Sequence, residues 1–367
     1  MDKTSQREIL AIDPKWTLAD ITARLAKALV GEGPALALTP ISSQTVPSEI
    51  SLVVSTSGST GDAKEVGLSA GAILASARAT NKFFGASAGQ TWSLLLPLTH
   101  IAGFNVIVRA LELGTVPIDA RGITGKYPDA DYTAIVPTQL FRALNGDADL
   151  LAHLLSAKSV LVGGAALEKK LGDQARTAGI NIVKSYGMTE TCGGCVYDGL
   201  PIGDASVEIN KDGLIKISSA SLARTYLNDP SGWDSKLEDG YFLTSDLGEI
   251  NNGKLTVTGR ADDVIVTGGE NISLHKVEEV IRNAFAGIEC AAFAVADKQW
   301  GQALHLAIAG SVKPEVSEIN KSLSSQISAA AKIKGAIYLD QLPKSAMDKV
   351  NRQELASLVL KEGKANL

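Results

Sequence analysis

The sequence has few cysteines and no long apolar run, and each shortage excludes a class of protein. Three cysteines occur among 367 residues, an odd and sparse set that is typical of a reducing compartment rather than of a disulfide-linked secreted domain. No uninterrupted apolar segment is long enough to span a bilayer. The first eight residues mix both charges without an apolar core, so they do not predict a secretory signal. We therefore expect a cytoplasmic protein without a transmembrane segment.

An excess of basic charge is also absent. The formal net charge is −5, with 45% hydrophobic and 20% charged residues, which is an ordinary globular composition. Because no run of Lys and Arg is interleaved with aromatics, we do not expect nucleic acid as a partner. The length exceeds the usual limit of a single core, so two or more domains are expected.

Two of the three cysteines form a C-x-x-C motif at Cys192 and Cys195. Neither a second cysteine pair nor a nearby histidine completes a zinc site. Outside a thioredoxin-like context the motif is weak evidence for redox chemistry. We interpret this pair as a structural part of a loop.

The most informative stretch is Val53–Lys64, where a β-branched run leads into a loop rich in hydroxyl groups. Gly58 and Gly61 permit backbone angles that other residues resist, and Lys64 ends the loop with a positive charge. Backbone N–H groups, hydroxyl donors and an ammonium together form a cradle for a polyphosphate. The loop is not a Walker A motif, because there the lysine directly follows the last glycine. It predicts a nucleoside triphosphate site, with a Ser/Gly-rich surface turn as the alternative.

The order of the elements predicts an α/β fold. Short β-rich runs alternate with helical patterns over the first two thirds of the chain, which predicts mostly parallel sheets that bind ligands where strands end. From about residue 200 the runs become short alternating strands, with Asn252-Gly253 as a hairpin signal. We expect a large N-terminal domain, residues 1–260, of mostly parallel α/β subdomains plus a small antiparallel β piece. A smaller α+β C-terminal domain is expected over residues 263–367.

Two segments carry side chains suited to the rest of a nucleotide. In Ser185–Glu190 the ring of Tyr186 is suited to stacking on a base and Thr189 to donating to a phosphate oxygen. Glu190 is suited to holding Mg²⁺, which prefers carboxylate and phosphate oxygens. Asp246 follows an apolar strand and is suited to accepting from ribose hydroxyls. Taken singly, each of these residues has an alternative interpretation that is at least as good: Tyr186 as a core aromatic, Glu190 as a solvated charge and Asp246 as a turn cap.

Two later segments complete the pattern: Gly259–Ile272 with its double glycine, and Leu342–Arg352 with Lys349 near its end. In this order and spacing the five segments resemble those of the adenylate-forming enzymes, which include acyl- and aryl-CoA synthetases, luciferases and the adenylation domains of peptide synthetases. The resemblance covers nearly the whole chain. It implies ATP and Mg²⁺ as cofactors, CoA as co-substrate and a small carboxylic acid as substrate, and it leaves a homo-oligomer open.

The resemblance implies a role for each matching residue. It implies that ATP contacts the phosphate loop, a loop and a motif beside adenine, and a ribose-binding pair, namely Thr56, Ser57, Gly58, Ser59, Thr60, Gly61, Gly163, Gly164, Tyr186, Gly187, Asp246 and Arg260. The implied catalytic residues, of which Glu190 also holds the metal, are Lys64, Thr189, Glu190 and Lys349. The implied acid-binding residues are His100, Arg109, Gly164, Gly193 and Gly194. The implied hinge is Asp262, and the implied thiol tunnel contains Gly268 and Gly269, which reach the site after the C-terminal domain rotates.

Within this family the chain most resembles the o-succinylbenzoate–CoA ligases of menaquinone biosynthesis, in their short actinobacterial form. The features that carry this are the segments 185–199, 67–69 and 300–302. Another acyl- or aryl-CoA synthetase, or a non-catalytic nucleotide-binding relative, is the alternative. Arg109 and the hydroxyl of Thr191 are the candidates to meet the second carboxylate of such a substrate, unless Arg109 is a solvent-facing helix residue.

The chain departs from the family pattern at two positions. Ala63 stands where proline usually precedes the loop lysine, which is expected to loosen the loop. Asp348 stands where glycine usually precedes the catalytic lysine. A carboxylate there can compete for the charge of Lys349, which adenylation requires.

Overall fold

The computed structural model describes residues 5–41, 43–56, 63–297, 300–344 and 350–365, without the side chains of 361–365. The chain divides into two compact units. The first unit contains residues 1–244 and 249–256, and the second contains residues 245–248 and 257–367. The domain bounds expected from the sequence, 1–260 and 263–367, stay predictions.

The helices and strands alternate along the first unit as the sequence predicts. In its first part they are β1 (Gln6–Ala11), α1 (Leu18–Leu29), β2 (Ala35–Ala37), β3 (Thr45–Pro47), β4 (Ile50–Thr56), β5 (Lys64–Ser69), α2 (Ala70–Phe83), β6 (Trp92–Leu94), α3 (Ile101–Glu112), β7 (Ile118–Asp119), β8 (Tyr132–Ile135), α4 (Pro137–Leu144), α5 (Ala148–Ser156), β9 (Ser159–Val162), α6 (Lys169–Thr177) and β10 (Ile182–Met188). After a 3₁₀ turn at Thr189–Thr191 come β11 (Gly193–Tyr197), β12 (Leu200–Pro201), β13 (Ser206–Ile209), β14 (Leu214–Ser218), β15 (Thr225–Tyr226), α7 (Pro230–Asp234), β16 (Leu237–Glu238), β17 (Tyr241–Asn251) and β18 (Lys254–Arg260). The strands β17 and β18 each contain residues of both units.

A mostly parallel sheet with the order β12-β11-β10-β9-β8-β6-β7, in which only the pairs β10·β11 and β11·β12 are antiparallel, confirms the crossover pattern read from the sequence. All of its pairs from β10 to β7 are parallel. A second sheet, β15-β5-β4-β2-β1-β3, is mixed, since β4 and β5 pair antiparallel. Residues 57–63 connect those two strands directly, and a parallel crossover needs a dozen or more residues. The phosphate loop is therefore the connection of a hairpin.

A third sheet has the order β13-β14-β17-β16, with β18 paired to β17. Its pairs β13·β14 and β16·β17 are antiparallel. Asn252, at the connection of β17 to β18, has a positive φ of 52°, which explains the choice of Asn-Gly there. The predicted small antiparallel piece is thus confirmed.

Helix α3 is apolar on almost every side, and the residues from Gly103 to Ala110 are all buried. Such a helix belongs inside a core rather than on its surface. Gly103 is required by close approach, because a Cβ there would lie 2.2 Å from the carbonyl oxygen of Pro97. This contact fixes the loop that carries His100 against the start of the helix.

The second unit continues with a 3₁₀ turn at Ala261–Asp263 and then β19 (Val264–Thr267), β20 (Glu270–Ser273), α8 (Leu274–Ala284), β21 (Glu289–Asp297), β22 (Gly301–Ala309), α9 (Val316–Gln326), β23 (Gly335–Leu339) and α10 (Arg352–Ala365). Its sheet has the order β20-β19-β22-β21, with β23 on β22. Alternate residues of β21 belong to different cores, Cys290 and Ala292 with α8 and α9, Ala291 and Phe293 with α10. This period of two places helices on both faces of the sheet. The arrangement is the α+β type that the sequence predicts.

Two physical properties of the described residues bear on function. No helix among them combines the length and apolar character that a membrane span requires. Cys192, Cys195 and Cys290 are all buried free thiols. Burial raises the pKa of Cys192 to about 12 and that of Cys195 to about 11, so neither forms a thiolate at neutral pH.

Candidate active site

The described ends of the phosphate loop lie opposite each other in the β4·β5 hairpin, where Thr56 pairs with Lys64. The intervening residues Ser57, Gly58, Ser59, Thr60 and Gly61 lie outside the described residues. The ammonium of Lys64 lies over the ring of Tyr226, 4.5 Å from its centroid. The lysine that is expected to meet phosphates is therefore held at the mouth of the hairpin by an aromatic face.

Asn228 holds the backbone on both sides of Lys64. Its side-chain amide donates to the carbonyl oxygen of Ala63 at 2.7 Å, and its oxygen accepts from the N–H of Glu65 at 2.9 Å. These two bonds fix the strand at the position where relatives are expected to carry proline. The loosening expected from Ala63 is therefore countered by a side chain 165 residues away in sequence.

Glu190 lies in the 3₁₀ turn that follows β10. The hydroxyl of Tyr226 donates to Glu190 Oε1 at 2.8 Å, and the backbone N–H of Ala223 donates to the Glu190 carbonyl oxygen at 2.8 Å. Burial, and then the adjacent Glu190 carboxylate, raise the pKa of Tyr226. The phenol therefore stays protonated and acts as a donor. Tyr226 was missed by the sequence argument, although it lies in an Arg-Thr-Tyr-Leu-Asn segment that ends a strand.

The end of β10 approaches β11 so closely that only glycine fits. A Cβ at Gly187 would lie 2.1 Å from the Gly193 carbonyl oxygen, and a Cβ at Gly194 would lie 2.1 Å from Ser185 Oγ. A Cβ at Gly163 would lie 3.2 Å from the Cβ of Ser185. The structure thus brings the expected adenine and acid segments together around β10, the strand that contains Tyr186.

Helix α3 contacts the same turn through Asn105. Its amide donates to the Cys192 carbonyl oxygen at 2.8 Å, and a Cβ at Gly193 would lie 2.4 Å from Asn105 Nδ2. His100 begins this helix as its N-cap residue, which places it on the element that borders the glycine turn. A buried Asn in an otherwise apolar helix was the available signal for this contact.

Arg109 lies further along α3 and is 2% exposed, so the solvent-facing interpretation is wrong. Its guanidinium lies over the Trp92 ring at 5.0 Å, and its Nε has no hydrogen-bond partner among the described residues. Burial lowers the pKa of Arg109. Thr191, the other candidate for the second carboxylate, is fully buried and donates its hydroxyl to the Gly193 carbonyl oxygen at 2.7 Å.

In the second unit the expected ribose pair and the expected hinge residue form one ionic cluster. Arg260 Nη1 lies 2.9 Å from Asp246 Oδ1, while its Nε and Nη2 donate to the two carboxylate oxygens of Asp262 at 2.8 and 2.7 Å. The hydrogen bonds to Asp262 are the largest influence raising the pKa of Arg260. The geometry is the bidentate fork that guanidinium and carboxylate groups favour.

Gly268 and Gly269 form the turn between β19 and β20, with φ values of 59° and 82°. Both angles lie in the left-handed region that favours glycine. A Cβ at Gly268 would lie 3.3 Å from the Trp300 ring, over which the ammonium of Lys334 lies at 3.8 Å. Lys349 and Asp348 lie outside the described residues, between Lys344 and Val350, which form an isolated bridge.

The residues near Glu190 fit a magnesium ion that arrives with a nucleotide. No group of three or more His, Cys, Asp or Glu side chains that could hold a metal occurs in the described part of the chain. Mg²⁺ does not need one, because it is commonly bound by one or two carboxylates plus substrate phosphates. The Glu190 carboxylate and the neighbouring Thr189 hydroxyl are oxygen donors of the required kind.

Comparison with known proteins identifies relatives along nearly the whole chain. The family described as AMP-binding enzyme matches residues 2–212. A probable 2-succinylbenzoate–CoA ligase of Mycobacterium tuberculosis H37Rv is 34% identical over 359 residues, with 90% of this chain and 93% of that protein covered. The 2-succinylbenzoate–CoA ligase of Escherichia coli K12 is 32% identical over 303 residues, with 77% of this chain and 66% of that protein covered.

Solved structures agree on the fold. The o-succinylbenzoate CoA synthetase of Bacillus subtilis with its OSB-AMP intermediate has a TM-score of 0.74 at 22% identity, with 95% of this chain and 82% of that chain covered. The same enzyme with ATP and magnesium has a TM-score of 0.73 at 22% identity, covering 95% and 83%. These matches confirm the resemblance that the five segments predict.

Proposed function

Since the chain belongs to the AMP-binding enzyme family, we propose that it is an acid–thiol ligase of the AMP-forming type. It activates o-succinylbenzoate as an acyl-adenylate and transfers the acyl group to CoA, giving o-succinylbenzoyl-CoA, AMP and pyrophosphate. The observation that carries this is the 34% identity to a probable ligase of that substrate, of whose length 93% is matched. We place the reaction in the cytoplasm.

In the first half-reaction an oxygen of the aliphatic carboxylate attacks the α-phosphorus of ATP. A P–O bond to the acid forms, the bond to the bridging oxygen breaks, and pyrophosphate leaves. No protein nucleophile takes part, so catalysis consists of positioning and electrostatic stabilisation. Lys64 and the loop N–H groups stabilise the departing pyrophosphate, and Lys349 neutralises charge that grows at the α-phosphate.

Bound Mg²⁺ supplies charge neutralisation on the phosphates. Glu190 would hold it, with Thr189 donating to a phosphate oxygen beside it. The support for this assignment is the hydrogen bond from Tyr226 to Glu190, because a neutral donor orients the carboxylate without cancelling its charge. Tyr186 and the Gly163–Gly164 loop lie along the adenine.

In the second half-reaction the CoA sulfur attacks the acyl carbonyl carbon and the bond to AMP breaks. The thiol proton leaves to solvent. We assign Asp262 as the hinge about which the second unit rotates, with Gly268 and Gly269 lining the pantetheine tunnel. Asp246 and Arg260 contact the ribose. A carrier-protein thiol in place of CoA stays an alternative for the acceptor.

Arg109 is the residue we assign to the second carboxylate of the substrate. It is a buried cation, and the charged or polar groups that act on it among the described residues are Tyr197 and Cys192, with no carboxylate. A buried charge without a counter-charge is costly, so a site of this kind favours an anionic ligand. His100, at the start of the same helix, and the glycines Gly193 and Gly194 border the remaining acid.

ATP–pyrophosphate exchange over a panel of acids tests the proposal. With magnesium present, exchange driven by o-succinylbenzoate supports it, and benzoate and succinate are the controls that each lack part of the substrate. Exchange with a different acid alone would assign the chain to another acyl- or aryl-CoA synthetase. If no acid drives exchange, the proposal is wrong and the chain is a non-catalytic nucleotide-binding relative.

A further inference from the structure

The segment Ala223–Asn228 contacts both halves of the proposed magnesium and phosphate site of the first unit. On one side, Ala223 N–H donates to the Glu190 carbonyl oxygen. On the other side, β15 pairs antiparallel with β5, which begins at Lys64. A single short strand therefore fixes the distance between the strand that leaves the phosphate loop and the turn that carries the acidic residue.

Tyr226 is the one described side chain of this segment that reaches both functional groups. Its hydroxyl donates to Glu190 Oε1 at 2.8 Å, and its ring face carries the Lys64 ammonium at 4.5 Å. We propose that Tyr226 is a positioning residue for adenylation, which orients the Glu190 carboxylate for the metal and holds Lys64 beside the phosphate loop until nucleotide enters. The inference rests on the proposed function.

The surroundings of Tyr226 make it a rigid support. Its side chain is 1% exposed, and its ring meets Trp233 edge to face at 5.2 Å. Trp233 in turn stacks on Phe242 at 5.0 Å. Aromatic pairs in these geometries restrict each other's rotation. The hydroxyl is therefore held in one position, and its hydrogen bond holds the Glu190 carboxylate in a fixed orientation.

The two contacts of Tyr226 have different chemical consequences. A hydroxyl donor leaves the Glu190 carboxylate negatively charged, whereas an arginine or lysine partner would offset the charge that attracts a metal. The ring holds Lys64 only through a cation–π contact, which is weaker than a direct interaction of an ammonium with phosphate. Entry of ATP therefore draws Lys64 away from the ring while the bond to Glu190 remains.

The substitution Tyr226→Phe tests this assignment, because it keeps the ring and removes only the hydroxyl. Partners that orient a metal ligand typically contribute 10–100-fold to metal affinity. We therefore expect the Mg²⁺ concentration for half-maximal ATP–pyrophosphate exchange to rise about 10–100-fold. Thioesterification of supplied acyl-adenylate, which needs no phosphate-bound metal, is expected to stay unchanged.

A second readout does not depend on activity. Isothermal titration of ATP with and without Mg²⁺ should show that Tyr226→Phe weakens only the metal-dependent part of binding. Tyr241→Phe is the matched control, since Tyr241 also has a lysine over its ring, Lys216 at 5.0 Å, and a hydroxyl contact, Ser206 at 3.2 Å. This variant should match the wild type in both measurements.

Three outcomes would overturn the inference. The first is an unchanged Mg²⁺ dependence in Tyr226→Phe, and the second is an equal loss in Tyr241→Phe. The third is a parallel loss of both half-reactions with a lower unfolding temperature, which would assign Tyr226 a purely structural role. If the wild type shows no exchange with any acid, the proposed function fails, while the titration of ATP still tests Tyr226 by itself.

Discussion

The carboxylates of the candidate site have different partners in the two units. In the first unit Glu190 accepts from a neutral phenol. In the second unit Asp246 and Asp262 are both bound by the guanidinium of Arg260, and Glu278 is bound by Arg352. A carboxylate next to a neutral donor keeps its charge for an incoming cation. A carboxylate next to arginine has its charge offset, and it contributes shape, hydrogen-bond acceptors and stability instead.

This comparison predicts which positive charge acts in adenylation. Arg260 and Arg352 each form ion pairs with carboxylates of their own unit. The positive charge that adenylation requires therefore has to come from another residue. Lys349→Ala is therefore expected to lower ATP–pyrophosphate exchange by about 10²–10³-fold, the usual effect of removing one transition-state donor. Thioesterification of supplied acyl-adenylate should be largely spared, because the lysine has left the site at that stage.

Lys344→Ala provides the control for this prediction. Lys344 belongs to the same loop and pairs with Glu289 at 3.8 Å, and its removal should leave exchange close to the wild-type rate. An equal loss of both half-reactions in Lys349→Ala would contradict the division of labour. A wild-type rate in that variant would show that Asp348 already suppresses the lysine.

The sequence predicts features that depend on local patterns, but not the partners that lie far away along the chain. Strand alternation and the Asn252-Gly253 turn are local signals, and the mostly parallel sheet and the antiparallel piece follow from them. Glu190, Asp246 and Arg260 were recognisable because their motifs have fixed spacing. The partners were not: Tyr226 lies 36 residues from Glu190, and Asn105 lies 87 residues from Cys192. Contacts over such separations leave no local pattern.

Arg109 shows a second reason for a wrong expectation. A helix that is apolar all round is buried all round, so an arginine within it is buried too. The expectation of a solvent-facing Arg109 rests on the average arginine, for which exposure is the rule. The neighbouring residues, not the residue type, were the better signal.

A buried ion pair of the second unit contributes to stability. Arg352 donates to Glu278 Oε1 at 2.8 Å and to the Ala292 carbonyl oxygen at 2.9 Å, and it lies 3.4 Å from Asp263. The Glu278 side chain is only 9% exposed. Arg352→Met leaves this carboxylate buried with a weaker partner, and we expect a loss of about 3 kcal/mol in the free energy of unfolding. Denaturant unfolding of the full chain measures it.

An exposed pair gives the comparison for that measurement. Arg121 binds Asp119 at 2.7 Å, and more than a third of each side chain is exposed to solvent. Arg121→Met is therefore expected to cost no more than about 1 kcal/mol. Equal losses in the two variants would show that burial adds nothing to the Arg352 pair.

A smaller effect is expected at the ionic cluster of the second unit. Because Asp262 accepts from both Nε and Nη2 of Arg260, nucleotide has to compete with that carboxylate for the guanidinium. Asp262→Asn should tighten ATP binding by up to about fivefold, since a half-exposed pair contributes about 1 kcal/mol or less. Calorimetric titration measures the affinity. Asp263→Asn is the control, since Asp263 pairs with Arg352; weaker binding in Asp262→Asn would mean that this carboxylate orients Arg260 for the ribose.

The smallest expected effect is a pH dependence of the first unit. His153 is 3% exposed, its Nε2 lies 2.9 Å from Ser93 Oγ, and its ring lies 5.3 Å from that of Tyr127. Burial lowers the pKa of His153 from 6.5. Below pH 6.5 the unfolded chain therefore binds a proton that the folded chain does not. The stability contributed by the neutral imidazole is fully present above pH 6.5 and is lost as the pH falls below it.

His153→Gln separates this contribution from the rest of the acid response. Glutamine is neutral at every pH and can still hydrogen-bond to Ser93, so the variant should be less stable at pH 7.5 but lose less between pH 6.5 and 5. Scanning calorimetry at several pH values measures the slope. His305 is the comparison in the second unit, where burial also lowers the imidazole pKa but the residue is less buried and its ring is tilted against that of Phe293, with 5.6 Å between the centroids. Because desolvation is the common cause, His305→Gln should flatten the slope less than His153→Gln does. A larger flattening at His305 would mean that contacts specific to the second unit, rather than burial, set the proton affinity of these two rings.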